Sequence, residues 1–378
     1  MKVAVTTLAF CVAALLALGL VMLYSATMTT SAGAHDLMMQ LVWCVLGFVL
    51  CVTATLLDYQ LLKKLAWPAY GFALILLAMV FAPLVGHASH GAHRWIGRGH
   101  MTLQPSEFAK VALIITLAWY GDRNQRHMHT FKRGILIPMV IAGAVLGLIF
   151  VEPDRGQTIL LAAVSGALLL IAGVRWRFIL IPVALGAAGL VFSLFHDSMR
   201  RGRISAWLHP EAHAGGAALQ AQQAMIGLGN GGWCGVGLGN GLQKNGYLPE
   251  IQTDFIFANI GEELGLIATL FVVLSFIVIA ICGMFIAMRA RDTFGFLLAS
   301  GITFLISLQA AINIGVVTSA LPNKGLPLPL ISYGGSNLLA MLICIGLLFS
   351  VARHAPVREK IAKAVSDAGE NPFAVKAT

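Results

Sequence analysis

Charge is scarce in this chain: 16 acidic and 25 basic residues are spread over 378, so charged side chains make up 11% of the sequence against 58% hydrophobic. That shortage excludes an ordinary soluble enzyme and places the chain among proteins that cross a membrane several times. Cysteine is sparse too. Five of the six lie in apolar stretches (Cys11, Cys44, Cys51, Cys282 and Cys344) and only Cys234 falls in a loop, so neither a disulfide framework nor zinc spacing is present. No small-residue cleavage site precedes Tyr24 and Ser25, which makes the first apolar run a retained helix. The net charge of +9 forms no basic stripe with interleaved aromatics, so no nucleic-acid partner is expected. A convincing internal repeat of the kind found in many transporters is also missing.

What the chain does have is long apolar runs, at 3–24, 38–57, 65–86, 105–121, 134–151, 157–174, 178–195, 255–288, 293–318 and 333–353. A crossing needs about 20 residues, a length several of these approach from below. They predict an all-α polytopic membrane protein of ten transmembrane helices, the fifth and sixth forming a tight pair. Short loops rich in Lys and Arg stay in the cytoplasm. With the N-terminus inside, the cytoplasmic segments hold 16 of the 25 basic residues, among them Lys63, Lys64, Arg123, Arg126, Arg289 and Arg291. Both termini are therefore expected in the cytoplasm, with residues 1–353 as one membrane domain and 354–378 as a short polar tail.

One connection is long, from about 196 to 252, between helices 7 and 8 on the outer side. Ile204, Trp207, Leu208, Leu219, Met225, Ile226, Leu228 and Trp233 suit short helices lying on the bilayer surface. Its centre, GLGNGGWCGVGLGNG at 227–241, follows no strand, so its glycines are read as turns and close backbone approach, not as a nucleotide loop.

Just beyond it, YLPEIQTDFIFANIGEELG sets Asp254, Glu262 and Glu263 at the start of an apolar stretch. A helix starting near Thr253 would put the glutamates about 12 Å below Asp254. Two readings of Asp254 stand side by side. It caps the helix, or it marks a site, because ionisable groups at membrane depth face protein or water.

Arg94, Trp95, Lys110, Asp154, Arg155, Asp254 and Lys324 all fall in the outer half of the protein. They line one cavity, or they anchor independently at the interface as Trp and Arg commonly do. Lys110 has two candidate partners, a ligand's phosphate or carboxylate and Glu107 three residues earlier on the same helical face. Arg155, at the tip of the EPDRG turn, either locks that turn with Asp154 or joins Lys110 and Lys324 around a pyrophosphate. The segment LPNKGLPLPLISYGGSN at 321–337 is irregular backbone that membrane depth tolerates only when buried or lining a cavity, and it offers the hydroxyls of Ser332, Tyr333 and Ser336. His87, His90, His93 and His100 share one loop, but its glycines argue against the helix a metal site at that spacing needs.

HRWIGRGHMTLQPSEFAK, EPDRGQT, YLPEIQTDFIFANIGEELG and LPLPLISYGGSNLL, in this order along the chain, resemble the SEDS proteins (shape, elongation, division and sporulation), and the likeness runs from VMLYSAT to the last apolar run. It is closer to the division members than to the elongation members. The resemblance implies a ten-helix peptidoglycan glycosyltransferase of the bacterial inner membrane that polymerises lipid II on the outer face and releases undecaprenyl pyrophosphate. It makes Asp254 the essential carboxylate and Trp95, Lys110 and Asp154 further functional positions, while Arg155 departs from the family's usual Asp-Leu-Gly. Arg203, Trp207 and Pro210 in RISAWLHP match another family stretch, and Gln223 falls where the family has a polar residue. Inverting sugar transfer would use Asp254 as base, with Lys110, Arg155 or Lys324 and a divalent cation (Mg or Mn) taking up the leaving group's charge. Metal coordination is the rival role for Asp254. The implied partners are a class B penicillin-binding protein (transpeptidase) and other division or elongation proteins. Two other classes compete, a lipid II flippase and a non-catalytic division scaffold.

Overall fold

A computed structural model describes residues 1–28, 33–82, 86–89, 92–97, 102–196, 198–209 and 219–355. His90, His100, Pro210 and the tail beyond Ala355 lie outside the described residues. Twelve helices follow in order: α1 (Lys2–Thr27), α2 (Gly33–Leu56), α3 (Leu61–Met79), α4 (Pro105–Arg123), α5 (Ile137–Val151), α6 (Arg155–Ile171), α7 (Trp176–His196), α8 (Ser198–Leu208), α9 (Leu219–Gly231), α10 (Ile256–Met288), α11 (Thr293–Val317) and α12 (Gly335–Arg353). Ten of them overlap the ten apolar runs, the third ending at Met79, well short of its run's end at 86. Helix α2 starts earlier than its apolar run, at Gly33, since its first turn carries the polar His35 and Asp36. Among the described residues, seven helical segments are long and apolar enough to cross a membrane by length and composition: α1, α2, α3, Lys132–Val151 (α5 with the π turn before it), α10, α11 and α12.

The all-α expectation needs one correction. Ahead of α4 the chain folds back as an antiparallel hairpin, β1 (Gly86–Ser89) against β2 (Ala92–Ile96), with an irregularity between His87 and Ala88. Ile96 then bridges to Leu103. A hydropathy reading cannot see so short a hairpin.

Helices α4 and α12 are the most enclosed, and α11 lies beside them. Helix α2 packs along α12 through small residues, the usual device where lipid supplies no hydrophobic drive. A methyl at Gly335 would stand 2.4 Å from the Trp43 indole, and one at Gly346 would stand 2.4 Å from the Cys51 carbonyl. Val45, Phe48 and Val49 on α2 and Val183 and Leu185 on α7 point outward, as side chains facing acyl chains do. At the end of the bundle away from Asp254, Lys63 pairs with Asp122 at 3.0 Å and Asp292 at 2.7 Å. Tyr59 donates to Asp292 at 2.6 Å, joining the ends of α3, α4 and α11.

Helix α10 is not continuous. Gly265 has φ 76 and ψ −170, a left-handed conformation open to glycine, and this breaks the ladder. The glycine-rich segment after α9 fills the break. Val236 and Gly237 donate to the carbonyls of Glu262 and Glu263 at 3.0 Å each, while Leu266 and Ile267 donate to the carbonyls of Gly232 and Trp233 at 2.9 and 3.3 Å. Backbone approaches backbone so closely that a methyl at Gly231 would lie 1.8 Å from the Gly261 carbonyl. Gly231→Ala is therefore expected to cost about 1–3 kcal/mol. A thermal unfolding midpoint in detergent equal to that of the unaltered chain would contradict this.

Candidate active site

The starts of α4, α6, α10 and α12 and the end of α11 meet at one end of the bundle. Asp254 stands there on a turn in which the N–H groups of Thr253, Asp254 and Phe255 all point to the Glu250 carbonyl, at 3.2, 3.2 and 3.3 Å. Glu250 itself adopts a left-handed φ of 57 to close that turn. Three further bonds hold it from the 321–337 segment and α11. Ser332 Oγ donates to the Thr253 carbonyl at 2.5 Å, the Tyr333 N–H donates to Gln252 at 2.9 Å, and Asn313 Nδ2 donates to the Asp254 carbonyl at 2.8 Å.

The helix starts at Ile256, with Phe255 at the cap position and no side-chain cap bond. Asp254 is thus not the cap, and among the described residues its carboxylate accepts no hydrogen bond. The two glutamates behave differently. Glu263 accepts from Ser25 at 2.5 Å, the Gly239 N–H at 3.0 Å and Lys244 at 3.0 Å, and Glu262 accepts from the N–H groups of Leu242 and Gln243 at 3.0 and 3.2 Å. They anchor the glycine-rich loop and, through Ser25, α1.

Across from Asp254 lies the turn between α5 and α6. Asp154 caps α6 by accepting from the Gln157 N–H at 3.1 Å, and it accepts from Gln104 Nε2 at 3.4 Å. Arg94, reaching from β2, donates to the carbonyls of Pro153 at 2.8 Å and Glu152 at 3.3 Å, with Asp154 Oδ2 at 3.8 Å. The hairpin is thereby docked on the turn. Gly156 at the start of α6 faces the backbone of Gly325 and the side chain of Leu326, and Gly325 in turn lies against the Asp254 carboxylate.

Burial sets the electrostatics. Asp254 keeps some exposure, yet enclosure by protein pushes its carboxyl up to about 7; Glu250 and Asp154 add to the rise and Arg94 opposes it. Asp154 is also raised, by burial, with Arg94 and the Gln157 N–H pulling it back. Burial lowers Lys324. Glu152 is fully buried, both its oxygens lack a partner, and burial with the nearby Asp154 pushes it up to about 8 against the pull of Arg94. A carboxyl raised on folding stabilises the fold only while both states are protonated, so that stability is lost as pH rises toward 8. Glu152→Gln is expected to raise the unfolding midpoint at about pH 8 and to leave it nearly unchanged at about pH 4, which a thermal scan across pH measures.

The predicted cations have separate fates. Lys110 is fully buried, paired with Glu107 at 2.8 Å and bonded to Gln309 at 3.0 Å. Gln157 joins this network through Glu107 at 2.6 Å, and Gln309 reaches Asn337 at 3.1 Å. Of the two partners weighed for Lys110, the structure contains Glu107. Arg155 stacks on the Phe150 ring at 3.3 Å. Lys324 lies beside Gly325, partly exposed, and makes no hydrogen bond or ion pair among the described residues.

The hydroxyls expected to face a ligand are largely committed to protein. Ser332 holds Thr253, Ser336 Oγ accepts from the Gln104 N–H at 2.9 Å, and Tyr333 is hydrogen-bonded to Asp36. Trp95 pairs through its backbone with His87 and is partly exposed. Gln223 lies partly exposed on α9, which docks on the 321–337 segment through Gln220 and Asn323 at 2.8 Å. Arg203 lies on α8, its side chain outside the described residues, and α8 docks through Trp207 Nε1 on the Ser319 carbonyl at 2.9 Å. The sequence reading missed Glu152, Gln309, Asn313 and Gly325. Gln309 and Asn313, four residues apart in an apolar helix, were visible as a polar stripe. A cavity of about 470 Å³ lined by Gln125, Arg291 and Asp292 opens at the opposite end of the helices and contains none of these groups.

The family of cell cycle proteins FtsW, RodA and SpoVE matches residues 6–356. A relative from Trichlorobacter lovleyi named "Probable peptidoglycan glycosyltransferase FtsW" is 41% identical over 93% of this chain and 94% of its own. One of the same name from Coxiella burnetii is 38% identical over 90% and 94%. A chain from the solved structure "Structural coordination of polymerization and crosslinking by a peptidoglycan synthase complex" shares the fold with a TM-score of 0.75 at 26% identity, covering 92% of this chain and 96% of that one. The rod shape determining protein RodA of Thermus thermophilus gives 0.69 at 27% identity, covering 92% and 96%. The site at the meeting of four helix starts thus belongs to a chain that is a member of the FtsW/RodA/SpoVE family of cell cycle proteins.

Proposed function

We propose that this chain is a peptidoglycan glycosyltransferase that polymerises lipid II, with Asp254 as the general base. The observation carrying the reading is the Asp254 carboxylate itself, free of hydrogen bonds among the described residues and raised to about 7. A base with that value takes a proton at neutral pH and releases it again. The acceptor sugar's 4-hydroxyl oxygen attacks the donor's anomeric carbon, and its proton passes to Asp254. The bond from that carbon to the phosphate oxygen breaks with inversion, and its electron pair leaves on the pyrophosphate. Four helix starts direct partial positive charge toward that end of the bundle, where an anion is favoured. Metal coordination is the rival role for Asp254: together with Asp154 it would hold magnesium or manganese, which binds through one or two carboxylates plus substrate phosphates and would shield the pyrophosphate's charge, and Asp254 would then not be the base.

Lys324 is our candidate for the leaving group, because Lys110 is spent on Glu107 and Arg155 on Phe150. Lys324→Ala is expected to lower kcat about 100-fold, with Lys324→Arg recovering part of it. A Lys324→Ala rate equal to that of the unaltered chain would remove it from the site.

In the membrane, α1 to α7 and α10 to α12 form ten spans with both termini in the cytoplasm and the Asp254 end outside. Helices α4 and α6 need less apolar surface than the others because neighbouring helices cover them. A class B penicillin-binding protein is the fitting partner, as new glycan must be cross-linked; a solved relative comes from a peptidoglycan synthase complex. Labelled lipid II given to the purified chain, with and without such a transpeptidase, tests the reading through polymer length. The break in α10 favours a second reading, a flippase, since transporters use broken helices. Lipid II transport in proteoliposomes without any polymer would favour that alternative.

A further inference from the structure

We propose that Gly325, stapled by Asn313, is a positioning residue that sets the aim of the Asp254 carboxylate. The proposal rests on the reading of Asp254 as the base. A methyl at Gly325 would stand 2.5 Å from Asp254 Oδ2, well inside van der Waals contact. Gly325 is exposed, so no packed core forbids a side chain, and its φ lies outside the left-handed region, so no backbone conformation demands glycine. Among the described residues, and chain neighbours aside, the three atoms nearest such a methyl all belong to the Asp254 carboxyl group.

Asn313 keeps the two strands of chain at this spacing. Its Nδ2 donates both to the Asp254 carbonyl at 2.8 Å and to the Leu326 carbonyl at 2.7 Å, clamping the residue after Gly325 to the residue that carries the base. Gly325 is therefore the floor on which the carboxylate rests, and Asn313 fixes the height of that floor. Any side chain at 325 lifts the carboxylate away, and misplacement of a reacting group by about 1 Å is enough to cost about 100-fold in rate.

The test pairs Gly325→Ala and Asn313→Ala with two readouts on the full purified chain in nanodiscs. The first is polymerisation of labelled lipid II. The second needs no catalysis: carbodiimide labelling of Asp254, which attacks protonated carboxyls, followed by mass spectrometry across pH. Gly325→Ala is expected to lower kcat about 100-fold with KM within about twofold, to leave the unfolding midpoint unchanged and to move the Asp254 labelling midpoint by about half a pH unit or more. Asn313→Ala is expected to act in the same sense. Normal kcat with an unmoved labelling midpoint would overturn the proposal, as would a loss that only follows the folded fraction. Absence of polymer from the unaltered chain would count against the glycosyltransferase reading, while the labelling midpoint would still decide whether Gly325 seats the carboxylate.

Discussion

Asp254→Asn is expected to reduce glycan polymerisation at least about 100-fold while the chain still folds, as removal of a general base does. The amide keeps the shape but cannot take the proton of the attacking hydroxyl. The pH profile supplies a sharper form of the same result. A base works when deprotonated, so the rate should climb with pH through about 7 and level off above it. The variant's residual rate should lack that limb. Unfolding is not the expected cause of the loss. The folded carboxyl is raised above its usual 3.8, so the native state holds a proton that the unfolded chain has released, and stability falls as pH rises toward 7. Asparagine removes that dependence and should leave the unfolding midpoint equal or higher at neutral pH. Normal polymer from Asp254→Asn would sink both the base and the metal-ligand roles.

Lys110→Met is expected to be the most damaging change to stability. It leaves Glu107, fully buried, without its cation, and breaking a buried pair from one side costs about 3–5 kcal/mol. The effect spreads, since Gln157 on α6, Gln309 on α11 and Asn337 on α12 are bonded to the same network. Replacing both partners, as in Glu107→Leu with Lys110→Met, is expected to restore much of the folded protein, because an apolar pair carries no uncompensated charge. Yield of monodisperse protein and the thermal midpoint in detergent read both variants. A stable but inactive Lys110→Met would return Lys110 to the substrate, which is where the sequence alone had placed it as one of two choices.

The helices were legible because hydrocarbon leaves so few options: an apolar run must satisfy its own backbone, and its length and composition are local properties. Gly265 shows where that legibility stops. Glycine is common in membrane helices, and only the apposed Gly231 to Gly237 segment reveals that the ladder is broken and refilled there. The hairpin before α4 escaped for a related reason, being too short to carry a hydropathy signal.

The carboxylates are a second case. From the segment Tyr247 to Gly265 alone, Asp254 is a cap or a site, and both glutamates are ambiguous. Their separation depends on partners elsewhere in the chain: Ser25 is 238 residues from Glu263, and Asn313 is 59 from Asp254. The same holds for the cations, for Gln309 lies 199 residues from the Lys110 it helps to bury.

What the sequence by itself determined is therefore the kind of protein: scarce charge and long apolar runs require a helical membrane chain, and the motifs single out a subset of its acidic and basic residues as candidates for one site. Only the tertiary structure decided which of those residues are spent on holding helices together and which stay available. The physical reason is that burying a charge demands a partner, and whether the partner is another side chain or a bound ligand depends on contacts made across the whole length of the chain.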